Sequence, residues 1–162
     1  MKNHSEIAVL IAQAENTLNI MEQNFQFYSS FKLDDYKKLG KTTSAAMVLS
    51  QIFTDYFTCV ETFFFRTSQL FENSLESSSW HKSLLDKMTL DIKGIRPAVI
   101  SRETFLLLDE LLRFRHFRRY YFNFDYDWDK LELIEKKYLQ VNPKLNNELR
   151  IFTEFLEQLT SE

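Results

Sequence analysis

The chain has 162 residues and a formal net charge of −3, is 15% aromatic, and contains only two glycines, two prolines and one cysteine. That length suits a single domain, residues 1–162, whose core can stand without staples, and so few glycines and prolines exclude turn-rich folds such as sandwiches, barrels and Gly-rich phosphate loops. A lone cysteine excludes an intrachain disulfide, and three scattered histidines offer no close ligand spacing, so neither a metal nor a cofactor is expected.

Ile7, Ile11, Ala14, Leu18, Met21, Phe25 and Tyr28 recur at three- and four-residue spacing, which predicts a first long helix. The N-terminus reads straight into that pattern without the apolar run of a signal peptide or membrane span, so a cytoplasmic protein with no membrane association is expected. Gly40 supplies a break and Thr42-Thr43-Ser44 a cap, after which Ala45, Leu49, Ile52, Tyr56, Val60, Phe63 and Leu70 sketch a second long helix. Phe53, Phe57, Phe64 and Phe65 make it apolar on further faces, as in a helix central to a bundle or at an oligomer interface. Cys59, set among Tyr56, Phe57, Val60 and Phe63, reads as a space-filling residue rather than a nucleophile.

Residues 73–79 form a polar link, and Ser79 can cap a short helix carrying Trp80, Leu84, Leu85 and Met88. Gly94-Ile95-Arg96-Pro97 is the strongest breaker in the chain, and Ser101 can cap a fourth helix through Phe105, Leu108 and Leu112. Asp125, Asp127 and Asp129 suit the start of a fifth helix, and Asn142-Pro143 reads as the opening of a sixth with Leu145, Leu149, Phe152, Leu156 and Leu159. The expected fold is all-α, an antiparallel bundle of about five to six helices.

The fourth helix carries the chemistry. Arg113, Arg115, His116, Arg118 and Arg119 lie within seven residues of an acidic chain. They point either to an anion site or to a solvated helix end where cations suit the macrodipole. Phe105, Leu108, Leu112, Arg115, Arg119 and Phe122 form one stripe; Leu107, Leu111, Phe114, Phe117, Tyr121 and Phe124 form a second about 100° away. The simplest account gives one stripe to the bundle and the other to a second copy of the chain, a homodimer.

The run 110–128, together with Ser79-Trp80-His81-Lys82-Ser83-Leu84-Leu85, Arg96-Pro97-Ala98-Val99-Ile100-Ser101 and the segment 56–64 centred on Glu61, resembles the HepT-like branch of the HEPN superfamily. The resemblance implies a HEPN-like helical homodimer acting as the ribonuclease toxin of a two-gene toxin–antitoxin system, with a minimal nucleotidyltransferase as antitoxin and RNA as substrate. The family's site is an arginine followed four to six residues later by a histidine, often with a tyrosine two positions further. The guanidinium holds the scissile phosphate while the imidazole moves a proton at the ribose 2′-hydroxyl, with no metal required. On this sequence the arginine falls on Arg115, the histidine position on Tyr120 and the tyrosine position on Phe122, so the usual pair is absent.

Tyr120 can donate a hydrogen bond but, with an ordinary phenol pKa near 10, is a poor base at neutral pH. His116, about 100° from Arg115, points away from the Arg115–Arg119 face unless a dimer partner completes the site. The candidate catalytic set is therefore Arg115, Tyr120, His116 and Arg119, with Arg113 and Arg118 in support. Glu61 is expected either to orient the arginines across the bundle or to be a surface carboxylate. The family's antitoxin adenylylates the motif tyrosine; Phe122 has no hydroxyl, which leaves Tyr120 and Tyr121 as alternatives. His81 reads as a capping or packing residue ahead of any catalytic role.

Three functions stay open: a ribonuclease toxin using this altered set, a non-catalytic HEPN dimer that binds a nucleotidyltransferase partner, nucleotide or RNA, and a structural dimer whose arginines merely pair with Asp109, Glu110, Asp125 or Asp127.

Overall fold

The computed structural model describes residues 4–72, 80–120 and 126–161. They form six helices: α1 (His4–Leu33), α2 (Asp35–Leu39), α3 (Thr43–Glu72), α4 (Trp80–Met88), α5 (Arg102–Tyr120) and α6 (Trp128–Ser161). No strand occurs among the described residues; one isolated bridge joins Ile92 and Arg96. The fold is the all-α bundle that the spacing predicts.

The expected breaks and caps take physical form. Gly40 ends α2 at φ +63°, a backbone conformation that side chains rarely adopt, and its N–H donates to the Tyr36 carbonyl at 2.8 Å. Thr42 Oγ1 accepts the Ala45 N–H at 3.3 Å at the start of α3. Ser101 Oγ accepts the Thr104 N–H at 3.2 Å, and Asp127 Oδ1 accepts from the Asp129 and Lys130 N–H groups at 3.0 and 3.3 Å. Ser79 and Asp125 lie outside the described residues. The five-residue helix α2 is one that the periodicity does not single out.

Apolar material on several faces of α3 is explained by its place in the bundle. It packs against α1, α2, α4, α5 and α6, and buries Phe53, Tyr56, Phe57, Val60, Phe63 and Phe64. One end of this core is a hydrogen-bonded aromatic cluster. The Tyr138 hydroxyl donates to Asn24 at 2.9 Å, Asn24 Nδ2 donates to the Ile52 carbonyl at 3.0 Å, and the Tyr56 hydroxyl donates to Asn142 at 3.1 Å. Burial holds the Tyr56 and Tyr138 phenols well above their ordinary range, so both remain donors at neutral pH.

The expected boundary at Asn142-Pro143 is not there: α6 runs unbroken through Pro143. Proline removes one helical N–H and leaves the carbonyl of Leu139 without that donor. Leu139 is exposed, so water can take the carbonyl, while Tyr138, Val141, Leu145, Leu149, Phe152 and Leu156 keep one buried stripe in phase on both sides. Packing of that continuous stripe outweighs the local proline signal.

The connection between α4 and α5 is locked by Arg96, whose side chain is inaccessible to solvent. Nε donates to Glu72 at 2.9 Å and Nη2 to the same carboxylate. The Lys87, Leu90 and Pro97 carbonyls accept the other three N–H groups at 2.9, 3.1 and 3.1 Å. With the Val99 and Ile100 N–H groups also donating to the Met88 carbonyl at 2.8 and 3.2 Å, the C-terminal end of α4 is pinned to α3 and to the chain entering α5. Replacing Arg96 by alanine takes the guanidinium from Glu72 and a donor from three carbonyls, and should cost about 3–5 kcal/mol. At about 2–4 °C per kcal/mol for a chain of this size, the thermal midpoint followed by circular dichroism should fall by at least about 6 °C; a fall below about 2 °C would mean that Arg96 is not the lock.

Candidate functional site

The first three turns of α5 bury both of its apolar stripes, Phe105, Leu108 and Leu112 on one side and Leu107, Leu111 and Phe114 on the other. α5 is flanked by α3, α4 and α6, so a single chain uses both stripes, and the pattern needs no second copy to explain it. Beyond Phe114 the second stripe reaches solvent: Phe117 is 42% exposed and carries the Lys130 ammonium 3.8 Å from its ring centroid. Here the first stripe turns to arginine.

At this end α3, α4 and α5 border an open cavity of about 520 Å³ lined by Thr54, Glu61, His81, Arg115, His116, Arg118 and Arg119. Three guanidiniums and two imidazoles thus line a cavity that holds a single carboxylate, and Arg115 and His81 reach it. Glu61, only 6% exposed, reaches from α3 into a core position that would be untenable for an unpaired charge. Its Oε1 and Oε2 accept from Arg115 Nη2 at 2.9 and 3.1 Å, and its Oε2 lies 2.7 Å from His81 Nδ1. Arg115 Nη1 also donates to Thr58 at 3.2 Å, and the guanidinium carbon sits 4.7 Å from the Phe57 ring centroid. Arg118 Nη1 donates to Gln51 and Thr54 at 3.0 and 3.3 Å.

The sequence-derived residues divide accordingly. Glu61 is a buried partner of Arg115 rather than a surface carboxylate. Arg118 and Arg119 stand in the cavity. Arg113 does not; it is 65% exposed by side chain and pairs with Asp109 one turn earlier at 2.7 Å. His116 lines the same cavity as Arg115 and Arg119, contrary to the expectation that it turns away: the cavity is open at this helix end and takes in adjacent positions. His81 changes most: instead of capping or filling space, it brings an imidazole from α4 to Glu61. Tyr121, Phe122 and the side chain of Tyr120 lie outside the described residues. Cys59 donates to the Tyr56 carbonyl at 3.2 Å, and burial pushes its thiol up to about 12, so it is no thiolate nucleophile at neutral pH. Among the described residues, no group of three His, Cys, Asp or Glu side chains is placed to hold a metal ion.

The family model for HepT-like proteins matches residues 48–156, which is 109 of the 162 residues. The chain belongs to the HepT-like family. The matched span of this HEPN protein contains α4, α5 and every residue lining the cavity. No curated protein and no solved structure matches the chain. No helix among the described residues is long and apolar enough to cross a membrane.

In this HepT-like protein, Glu61→Ala would leave the 17%-exposed Arg115 side chain with its charge unpaired, at a cost of about 3–5 kcal/mol in urea unfolding. The double variant Glu61→Ala/Arg115→Met should recover part of that loss; additive losses would mean that the pair is not energetically coupled.

Proposed function

We propose that this HepT-like protein is a ribonuclease toxin of a toxin–antitoxin pair, cutting RNA at the cavity where α3, α4 and α5 meet. The observation that carries the reading is the gathering of Arg115, Arg118 and Arg119 with two imidazoles on the helix end where the family's site lies. Guanidiniums in a partly desolvated cavity recognise phosphate through charge-assisted hydrogen bonds and stabilise the charge that grows on it during transesterification. Nη2 of Arg115 is committed to Glu61 and one Nη1 hydrogen to Thr58, so its remaining hydrogens are what it offers a phosphate. An imidazole in the cavity can supply the proton transfer without a metal. In this reading the protein works as a homodimer, and a minimal nucleotidyltransferase restrains it as antitoxin.

Cells expressing the wild type should arrest with new ends in transfer RNA or total RNA, and cells expressing Arg115→Ala should grow with intact RNA. In vitro, neutralising Arg115 and Arg119 together should weaken RNA binding and flatten the slope of log K against log salt by about 1.4, at about 0.7 per phosphate contact on a single strand. Intact RNA in both strains, with both proteins folded and the salt effect retained, would leave the non-catalytic binding module in place of the nuclease. That second reading draws on Tyr120 occupying the position of the family's histidine.

A further inference from the structure

We infer that His81, held through Nδ1 by Glu61, is the general base that takes the proton from the ribose 2′-hydroxyl, so that α4 supplies the imidazole which the arginine helix lacks at position 120. The inference rests on the ribonuclease reading and assigns the base within it.

Chemistry sets one candidate aside. A phenol at Tyr120 is a poor acceptor at neutral pH. His81, by contrast, has the two attributes of a positioned base. Its Nδ1 lies 2.7 Å from a carboxylate oxygen, and an imidazole nitrogen facing a carboxylate carries the proton. That selects the tautomer in which Nε2 bears the lone pair, the arrangement by which a buried acid orients a histidine for proton abstraction. The side chain is also 30% exposed and lines the cavity, so the ring is not sealed in the core.

Position relative to the phosphate-binding group matters as much. Arg115 Nη2 and His81 Nδ1 are 3.4 Å apart, two donors converging on the one Glu61 carboxylate. A phosphate bound by the remaining hydrogens of Arg115 is thereby placed within a few ångströms of the imidazole, close to the separation that an attacking hydroxyl and its base require. Glu61 is then a positioning residue with two tasks: it fixes the ring of His81 and the plane of Arg115 together. The step balances with no further reagent. Nε2 takes the 2′-hydroxyl proton, the 2′-oxygen bonds to phosphorus, and the bond from phosphorus to the 5′-oxygen breaks. The 5′-oxygen takes a proton from water, leaving a 2′,3′-cyclic phosphate and a 5′-hydroxyl.

The test is single-turnover cleavage of single-stranded RNA oligonucleotides by the purified full chain, comparing wild type, His81→Ala, His81→Gln, His116→Ala and Glu61→Gln, with melting curves for each. His81→Ala should lose about 10²- to 10⁴-fold in rate while still binding RNA. Added imidazole should restore part of the rate to His81→Ala and leave His116→Ala unaffected, a rescue that a merely structural histidine would not allow. Glu61→Gln should slow the reaction without abolishing it, and imidazole should not rescue it. If His81→Ala and His81→Gln, each folded by its melting curve, both cut within about threefold of wild type while Arg115→Ala is inactive, the assignment fails and the ribonuclease stands. A folded, inactive His81→Ala that imidazole does not rescue also overturns it. A wild type that cuts none of the RNAs overturns both readings.

Discussion

One buried carboxylate sets the arrangement of the cavity. Glu61 sits on the most enclosed helix of the bundle, among Phe57, Val60 and Phe64, where an isolated negative charge would be strongly unfavourable. Two other helices must therefore bring positive or hydrogen-bonding groups to it, and these meet side by side at the carboxylate, Arg115 from α5 and His81 from α4. A charge that costs stability in the core thus fixes the register of three helices at their common end. It also explains why Arg115 is drawn inward onto a carboxylate while Arg119, at the same cavity, stays exposed.

The rest of the cluster is graded by distance from that point. Arg118, a turn beyond Arg115, leans on the polar side chains Gln51 and Thr54 of α3 instead of on a carboxylate. Arg113 leaves the cavity altogether and pairs along its own helix with Asp109. Four arginines in seven residues are consequently not one patch: three serve the cavity to different degrees, and one serves local helix stability.

Much of this was legible in the sequence, and the failures have physical causes. Helical spacing and cap residues located α1, α3, α4 and α5, because amphipathic stripes and Thr42 or Ser101 caps are local signals. Asn142-Pro143 misled because a cap-and-proline pair is also local, whereas the stripe running from Tyr138 to Leu156 in unbroken phase was the stronger signal. On α5, periodicity could find two apolar stripes but not count the neighbours available to cover them. His81 was least legible of all. It lies 20 residues from Glu61 and 34 from Arg115, so although its segment carries the family resemblance, nothing local gives its ring a partner, and only the packing of α4 onto α3 brings it to the cavity. The pairing of Glu61 with Arg115 across 54 residues is equally remote, yet a lone carboxylate in an apolar helix facing an arginine-rich one is a clue that composition can give.

The lock at Arg96 has a mechanical meaning for the opposite end of α4. From Met88 back to His81 the helix rises about 10 Å, so it acts as a short lever with its fulcrum at the Arg96 anchor. A tilt of about 5° at the fulcrum swings the imidazole by about 1 Å, the difference between a made and a broken contact with Glu61. The accuracy of the cavity is thus held at a point that never meets a ligand, and a change there would be felt as a misaimed ring rather than as a lost one.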